Sequence, residues 1–175
     1  MENQDLKTIQ HNLLFEISSS IRYHNYRKRF FDGFHNVAAF LTAISGTAIF
    51  MTILAGQSNP FIQMVLAAVV AIFSTIDLVI ASPAKSREYE DLSRRFIALE
   101  KKIMVAENPD SKFFKAVQAE KLSIEADEPP HLRILNAVCF NETVTAMGLN
   151  KNEKVKIEWY QRLFMNFADL NPGKI

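Results

Sequence analysis

Two uninterrupted apolar runs dominate the chain, Val37 to Ala55 (VAAFLTAISGTAIFMTILA) and Phe61 to Ala81 (FIQMVLAAVVAIFSTIDLVIA). Each is close to the ~20 residues that a helix rising 1.5 Å per residue needs to cross a ~30 Å hydrocarbon core. Between Asp32 and Asp77 there is no Asp, Glu, Lys or Arg. Soluble helices rarely lack charge for so long, because one face must meet water. The runs are joined by Gly56-Gln57-Ser58-Asn59-Pro60, which is helix-stopping, turn-forming chemistry. The pattern predicts a transmembrane hairpin of two antiparallel helices over 36–82, with spans at about 37–55 and 61–81.

Outside these runs the apolar positions fall at helical spacing. Leu6, Ile9, Leu13, Ile17 and Ile21 predict an amphipathic helix from about Gln4 to Phe31, with no proline to separate it from the first span. It forms an N-terminal region, 1–35. Ser82-Pro83 marks a break, and a helix is expected from near Ala84. Its Tyr89, Leu92, Phe96, Leu99, Ile103 and Ala106 alternate three and four apart, a heptad seam suited to the N-terminal helix or to a neighbouring copy. Leu92, Phe96, Leu99 and Ile103 are thus candidates for cytoplasmic assembly.

Asn108-Pro109-Asp110 ends that helix, with Ser111 the expected N-cap of a helix over Lys112 to Ala126. Asp127-Glu128-Pro129-Pro130 is a second break. Leu132, Leu135, Val138 and Cys139 form the next apolar face, closed by Gly148 as a C-cap. A last helix, roughly Asn152 to Asp169, is expected to bury Val155, Trp159, Leu163 and Phe167. The fold class is therefore an all-α membrane protein, a two-helix transmembrane hairpin with a helical cytoplasmic body at 83–175.

Charge gives the orientation. Arg22, Arg27, Lys28 and Arg29 precede the first run, Lys85, Arg87, Arg94 and Arg95 follow the second, and the connecting loop has no Lys or Arg. The positive-inside rule places both termini in the cytoplasm. Tyr23, Tyr26, Phe30 and Phe31 beside the first cluster are placed as an interfacial aromatic belt should be. A net charge of +1 over 175 residues gives no pull toward nucleic acid. The one cysteine, Cys139, excludes an intramolecular disulfide framework. No signal-peptide pattern appears, because a charged amphipathic stretch precedes the first apolar segment.

Within the apolar runs, small residues recur at spacings of four: Ala38, Thr42 and Gly46, and beside them Ala39, Ala43 and Thr47. Such patterning suits close helix packing in lipid, and Ala38, Ala39, Ala43 and Gly46 are the packing candidates. Thr42, Ser45 and Thr52 form one polar stripe; Gln63, Ser74 and Asp77 form another, shared with Ala67 and Val70. An intramembrane carboxylate faces a bundle interior, a partner or water. Asp77 lies close enough to the cytoplasmic end to reach headgroup water, so pore lining and boundary placement both fit it. Two helices cannot enclose an aqueous path, so conduction through rings of Gln63, Ser74 and Asp77, with Thr42 and Ser45, implies several copies.

Catalytic chemistry has little to rest on. His11, His24, His35 and His131 show no metal-ligand spacing with Cys139 or a carboxylate pair, and no catalytic, metal or cofactor site is expected. The five scattered glycines build no phosphate loop, and no Gly-x-Ser-x-Gly elbow occurs. Glu142 near Cys139 reads better as a capping or buried hydrogen-bonded carboxylate than as a reactive pair.

The run Tyr23-His24-Asn25-Tyr26-Arg27-Lys28-Arg29-Phe30-Phe31, the two-span hairpin, the charged amphipathic helix after it, and Cys139-Phe140-Asn141-Glu142 before Gly148 together resemble the SLATT domain, the SMODS and SLOG-associating two-transmembrane effectors of prokaryotic conflict systems. The resemblance covers nearly the whole chain. It implies a bacterial inner-membrane effector of antiviral defence that forms a homo-oligomer in membrane lipid and kills or arrests the infected cell. It also implies a separate sensor, nucleotide-signalling or reverse-transcriptase partner; the chain leaves no room for an added sensor domain, so the trigger is expected to act in trans or directly on the cytoplasmic helices. The reading of a different class is a non-conducting anchor or scaffold that recruits a partner through its cytoplasmic helices. A phage holin would be shorter, with a small charged tail.

Overall fold

The structure, a computed structural model, describes residues 2–54, 56, 59–170 and 173. Ala55, Gln57 and Ser58 of the expected outer loop, and Asn171-Pro172 near the C-terminus, lie outside the described residues. The described chain is helical, with no strand among the described residues. Its helices are α1 (Glu2–Leu54), α2 (Pro60–Ile80), α3 (Ser82–Met104), α4 (Ser111–Glu125), α5 (Arg133–Ala146) and α6 (Trp159–Phe164), with a short 3-10 turn at Lys151–Glu153. Two helices are long and apolar enough to cross a membrane. The chain divides into two compact units, Met1–Arg27 with Tyr89–Ile175, and Lys28–Glu88. Both α1 and α3 contribute to each.

In the first unit, Leu13, Ile17 and Tyr23 of α1 are buried with Tyr89, Leu92, Phe96, Leu99 and Ile103 of α3. Phe114, Val117 and Ile124 of α4 and Ile134, Leu135, Val138, Cys139 and Val144 of α5 complete the core. Full burial of one such side chain contributes about 1.5–3 kcal/mol over leaving it exposed, which sets these positions as the main source of the unit's packing energy. The α3 seam is thereby filled within one chain, and Leu92, Phe96, Leu99 and Ile103 are not on a surface open to a second copy. Tyr23 is 1% exposed in this core, which corrects its expected place in an interfacial belt; its ring packs 4.5 Å from that of His131 and its hydroxyl accepts from Leu132 N.

Local chemistry explains the ends. Asp110, not Ser111, caps α4: its carboxylate accepts from Phe113 N at 2.7 Å, and Ser111 is the first helical residue. At the end of α5, Gly148 takes φ +68 while its N–H donates to Thr145 O and Leu149 N–H donates to Val144 O. This paired capping satisfies two otherwise orphaned carbonyls, and the left-handed φ suits glycine. The break expected at Ser82-Pro83 falls one residue earlier, where Ala81 takes φ 52 and its N–H closes onto Asp77 O and Leu78 O. Helix α3 therefore starts at Ser82 rather than near Ala84.

The last helix departs most from expectation. Instead of a helix over Asn152 to Asp169, α6 spans only six residues, and Trp159, Leu163 and Phe167 are 77%, 64% and 65% exposed. Two contacts hold the approach non-helical. The Asn141 side chain donates to Val155 O at 2.7 Å and accepts from Val155 N at 2.8 Å, taking up both backbone groups that a helix would use. Glu158 then caps α6 reciprocally with Gln161.

Candidate functional site

The second unit holds the chain's longest charge-free stretch, and its polar groups meet across one seam. His35 Nδ1 lies 2.8 Å from Asp77 Oδ2, Thr42 Oγ1 lies 3.3 Å from Ser74 Oγ, and Gln63 Nε2 donates to Thr52 Oγ1 at 3.1 Å. As the α1 position advances from 35 to 52, its α2 partner retreats from 77 to 63, so the two helical stretches run in opposite directions. Asn59 begins α2 by accepting from Phe61 N and Ile62 N, with Pro60 at the first turn, where its missing N–H costs nothing.

The two threonines share an arrangement. Thr42 donates its hydroxyl hydrogen to Ala38 O at 2.9 Å, and Thr52 donates to Ile49 O at 2.8 Å. Each hydroxyl has one hydrogen, already committed, so only its lone pairs face α2. Ser74 must therefore be the donor to Thr42, as Gln63 is to Thr52. Gln63, Ser74 and Asp77 of α2 are thus turned onto α1, while Thr75 is exposed on another face beside Ala71, Ile72 and Ile76, and no residue of α2 is buried.

The sequence candidates divide accordingly. Thr42, Gln63, Ser74 and Asp77 meet at the seam, and Ser45 and Ala38 are buried in the same unit. Ala39, Ala43 and Gly46 are exposed and make none of the seam's polar contacts, and a side chain added at Gly46 would meet nothing within 4 Å. The seam follows 38, 42, 45 and 52, not the parallel row of small residues. A groove of about 540 Å³ opens beside it, lined by His35, Ala38, Thr42, Ser74 and Asp77 and also by the packing candidates Ala39 and Ala43. His35 was missed because a partner 42 positions away carries no local signal.

The basic residues also separate. Arg27 donates to Asn166 O at 2.7 Å and lies 5.3 Å over the Tyr89 ring, which ties it into the first unit. Arg22 and Lys28 are half-buried, Arg29 and Arg87 are exposed, and Lys85 pairs with Glu88 at 2.7 Å.

The first unit contains a second cluster. Glu128 accepts from His24 Nε2 at 2.8 Å through Oε1, and its Oε2 lies 2.8 Å from His131 Nε2. Burial alone would raise the Glu128 carboxyl, but hydrogen bonds from His131 and His24 outweigh it and hold the group down at about 2. Nearby, burial pushes the Tyr23 hydroxyl up to about 12, against an opposing hydrogen bond from Leu132 N. Burial, with Glu142 adding to it, pushes the Cys139 thiol up to about 12. Glu142 itself accepts from Tyr26 Oη at 2.6 Å, a structural carboxylate rather than a partner of the thiol. Lys121 is disfavoured as a cation by burial, yet Glu125 and Glu16, at 2.8 and 2.9 Å, raise it.

Comparison of the chain with protein-family models, curated proteins and solved structures returns no match.

Proposed function

We propose that the two apolar stretches insert in a bilayer as an antiparallel transmembrane hairpin, and that several copies form an effector that permeabilises the membrane when a partner triggers it. The observation that carries this reading is the seam. Its three polar contacts are closed inside one copy, on helical stretches whose other side chains are mostly apolar, with Val37, Phe40, Ile44, Phe50, Phe61, Met64, Leu78 and Val79 among those exposed. In water those faces would be costly; in lipid they are at home, and pairing the polar groups removes the main penalty on insertion.

A resting hairpin of this kind is sealed. Conduction requires Ser74, Gln63 and Asp77 to exchange their α1 partners for water in a shared lumen, which several copies can enclose. The basic flanks favour cytoplasmic termini in a bacterial inner membrane. The SLATT-like layout supports antiviral defence as the setting and a sensor, nucleotide-signalling enzyme or reverse transcriptase as the trigger.

A second reading, a non-conducting anchor that recruits a partner, draws on the exposed Trp159, Leu163 and Phe167 around α6. The two are separated by membrane potential in cells after induced expression, followed with a voltage-sensitive dye, with the neighbouring genes present and absent. Depolarisation controlled by a neighbour, and reduced in Asp77→Ala at equal membrane abundance, is the expected result. A steady potential in every arm, with the protein found in the membrane, overturns the effector reading in favour of the anchor.

A further inference from the structure

A carboxylate held between two imidazoles inside the aromatic core of the first unit is more than a helix-packing device needs. The ligand-capable atoms of His24, Glu128 and His131 all lie within 4.8 Å of one another. They come from two parts of the chain, α1 and the turn before α5, and the His24 contact spans 104 positions.

The surroundings fix these side chains before any ligand arrives. The His24 ring stacks at 13° on Phe96, with centroids 5.5 Å apart, and at 30° on Tyr89. Tyr23 packs 4.5 Å from the His131 ring, and its hydroxyl accepts from Leu132 N at 2.9 Å, which anchors the segment carrying His131. The His24 and Glu128 side chains are 0% and 6% exposed, whereas His131 is 37% exposed. The cluster is therefore walled on the helix side and open to water on the His131 side.

We propose that His24, Glu128 and His131 bind one divalent transition-metal ion of the zinc class. Two imidazoles with one carboxylate suit Zn²⁺ and its neighbours, whereas Ca²⁺ and Mg²⁺ require oxygen-rich sites. Zinc bonds of ~2.0–2.1 Å at tetrahedral angles set neighbouring ligand atoms about 3.3 Å apart. The two N···O separations of 2.8 Å and the overall spread of 4.8 Å bracket that spacing, so sub-ångström side-chain shifts admit the ion. Each Nε2 must give up the hydrogen now directed at Glu128, to Nδ1 of the same ring if the imidazole is neutral or to water if it is protonated, and water on the His131 side takes the fourth position. One feature limits affinity: His24 Nδ1 is buried without a hydrogen-bond partner. Ligation through Nε2 makes Nδ1 the N–H, lacking the acceptor that metal-bound histidines usually have. The site is accordingly a reversible one, weaker than closed structural zinc centres, and the bound ion ties α1 to the turn before α5.

The test uses the full chain in detergent, stripped with chelator and titrated with Co²⁺ and then Zn²⁺. One equivalent of Co²⁺ should produce visible d–d bands of a four-coordinate site, which Zn²⁺ abolishes. His131→Ala removes the most exposed ligand and should weaken binding ~10-fold or more at unchanged helicity, while His11→Ala, an exposed histidine outside the cluster, should not. Glu128→Gln should act like His131→Ala; should it fail to fold, His131→Ala alone decides. The proposal is overturned if stoichiometric Co²⁺ gives no bands, or if a folded His131→Ala binds as tightly as the parent.

Discussion

If the seam is what keeps the resting hairpin sealed, loosening it from the α1 side should raise leakage. Thr42→Val and Thr52→Val keep the shape and branching of each side chain but remove the oxygen that accepts from Ser74 and Gln63. The donors on α2 stay, so the groups proposed to meet lumen water are untouched. Interhelical hydrogen bonds in lipid contribute about 0.6 kcal/mol each, with a ceiling near 1.7. Losing one shifts the balance between paired and parted helices by about 3-fold, and losing both, at about 1.2 kcal/mol, by about 8-fold. The Thr42–Ser74 contact, at 3.3 Å, is the weaker, so Thr52→Val should have the larger single effect. The assay is dye release or potential decay in liposomes of fixed lipid composition, at matched protein-to-lipid ratio. Leak rates should rise in the order parent, Thr42→Val, Thr52→Val, double variant. If all four leak alike, the seam does not restrain permeation and the gating argument is refuted; a lower leak in the double variant would show that the threonines themselves serve the path.

Three further outcomes follow from the first unit. Asn141→Ala strips Val155 of both backbone partners; at about 1 kcal/mol per hydrogen bond, amide exchange at Val155 should accelerate by about 30-fold, and unchanged protection would show that the clamp is redundant. Phe96→Ala removes a fully buried ring and should cost about 3–5 kcal/mol, read as a lowered unfolding midpoint; a loss below about 1 kcal/mol would mean that the core collapses around the gap. Cys139 is fully buried and burial pushes its thiol up to about 12, so it stays protonated at pH 8; alkylation should require denaturation, and ready labelling of native protein would contradict the packing.

The extent to which the sequence foretold this molecule depends on range. The helices α2 to α5 were legible because their signals are local: uninterrupted apolarity over 61–81, three-and-four spacing from Tyr89 to Ile103, Pro and Gly at the breaks, Gly148 at a helix end. Even the polar stripes of the apolar helices could be read, since angular position on a helix follows from residue number alone. What the stripes touch could not. That Thr42 faces Ser74, or that His35 meets Asp77, depends on the register between two helices, and one step along either would change every pair.

The C-terminal segment was misread for a related reason. Val155, Trp159, Leu163 and Phe167 carry a sound helical period, but Asn141 claims the backbone of Val155 from another helix, and tertiary hydrogen bonding overrides periodicity. The His24–Glu128–His131 cluster was invisible on the same grounds, for no spacing rule links positions 24 and 128. Up to the end of α5, the sequence by itself determined which stretches are helical and which faces are apolar, because those follow from bond geometry and side-chain hydration repeated every few residues. Only the tertiary structure decided which polar groups meet, because that depends on how separate helices align, a choice made by the packing of the whole core.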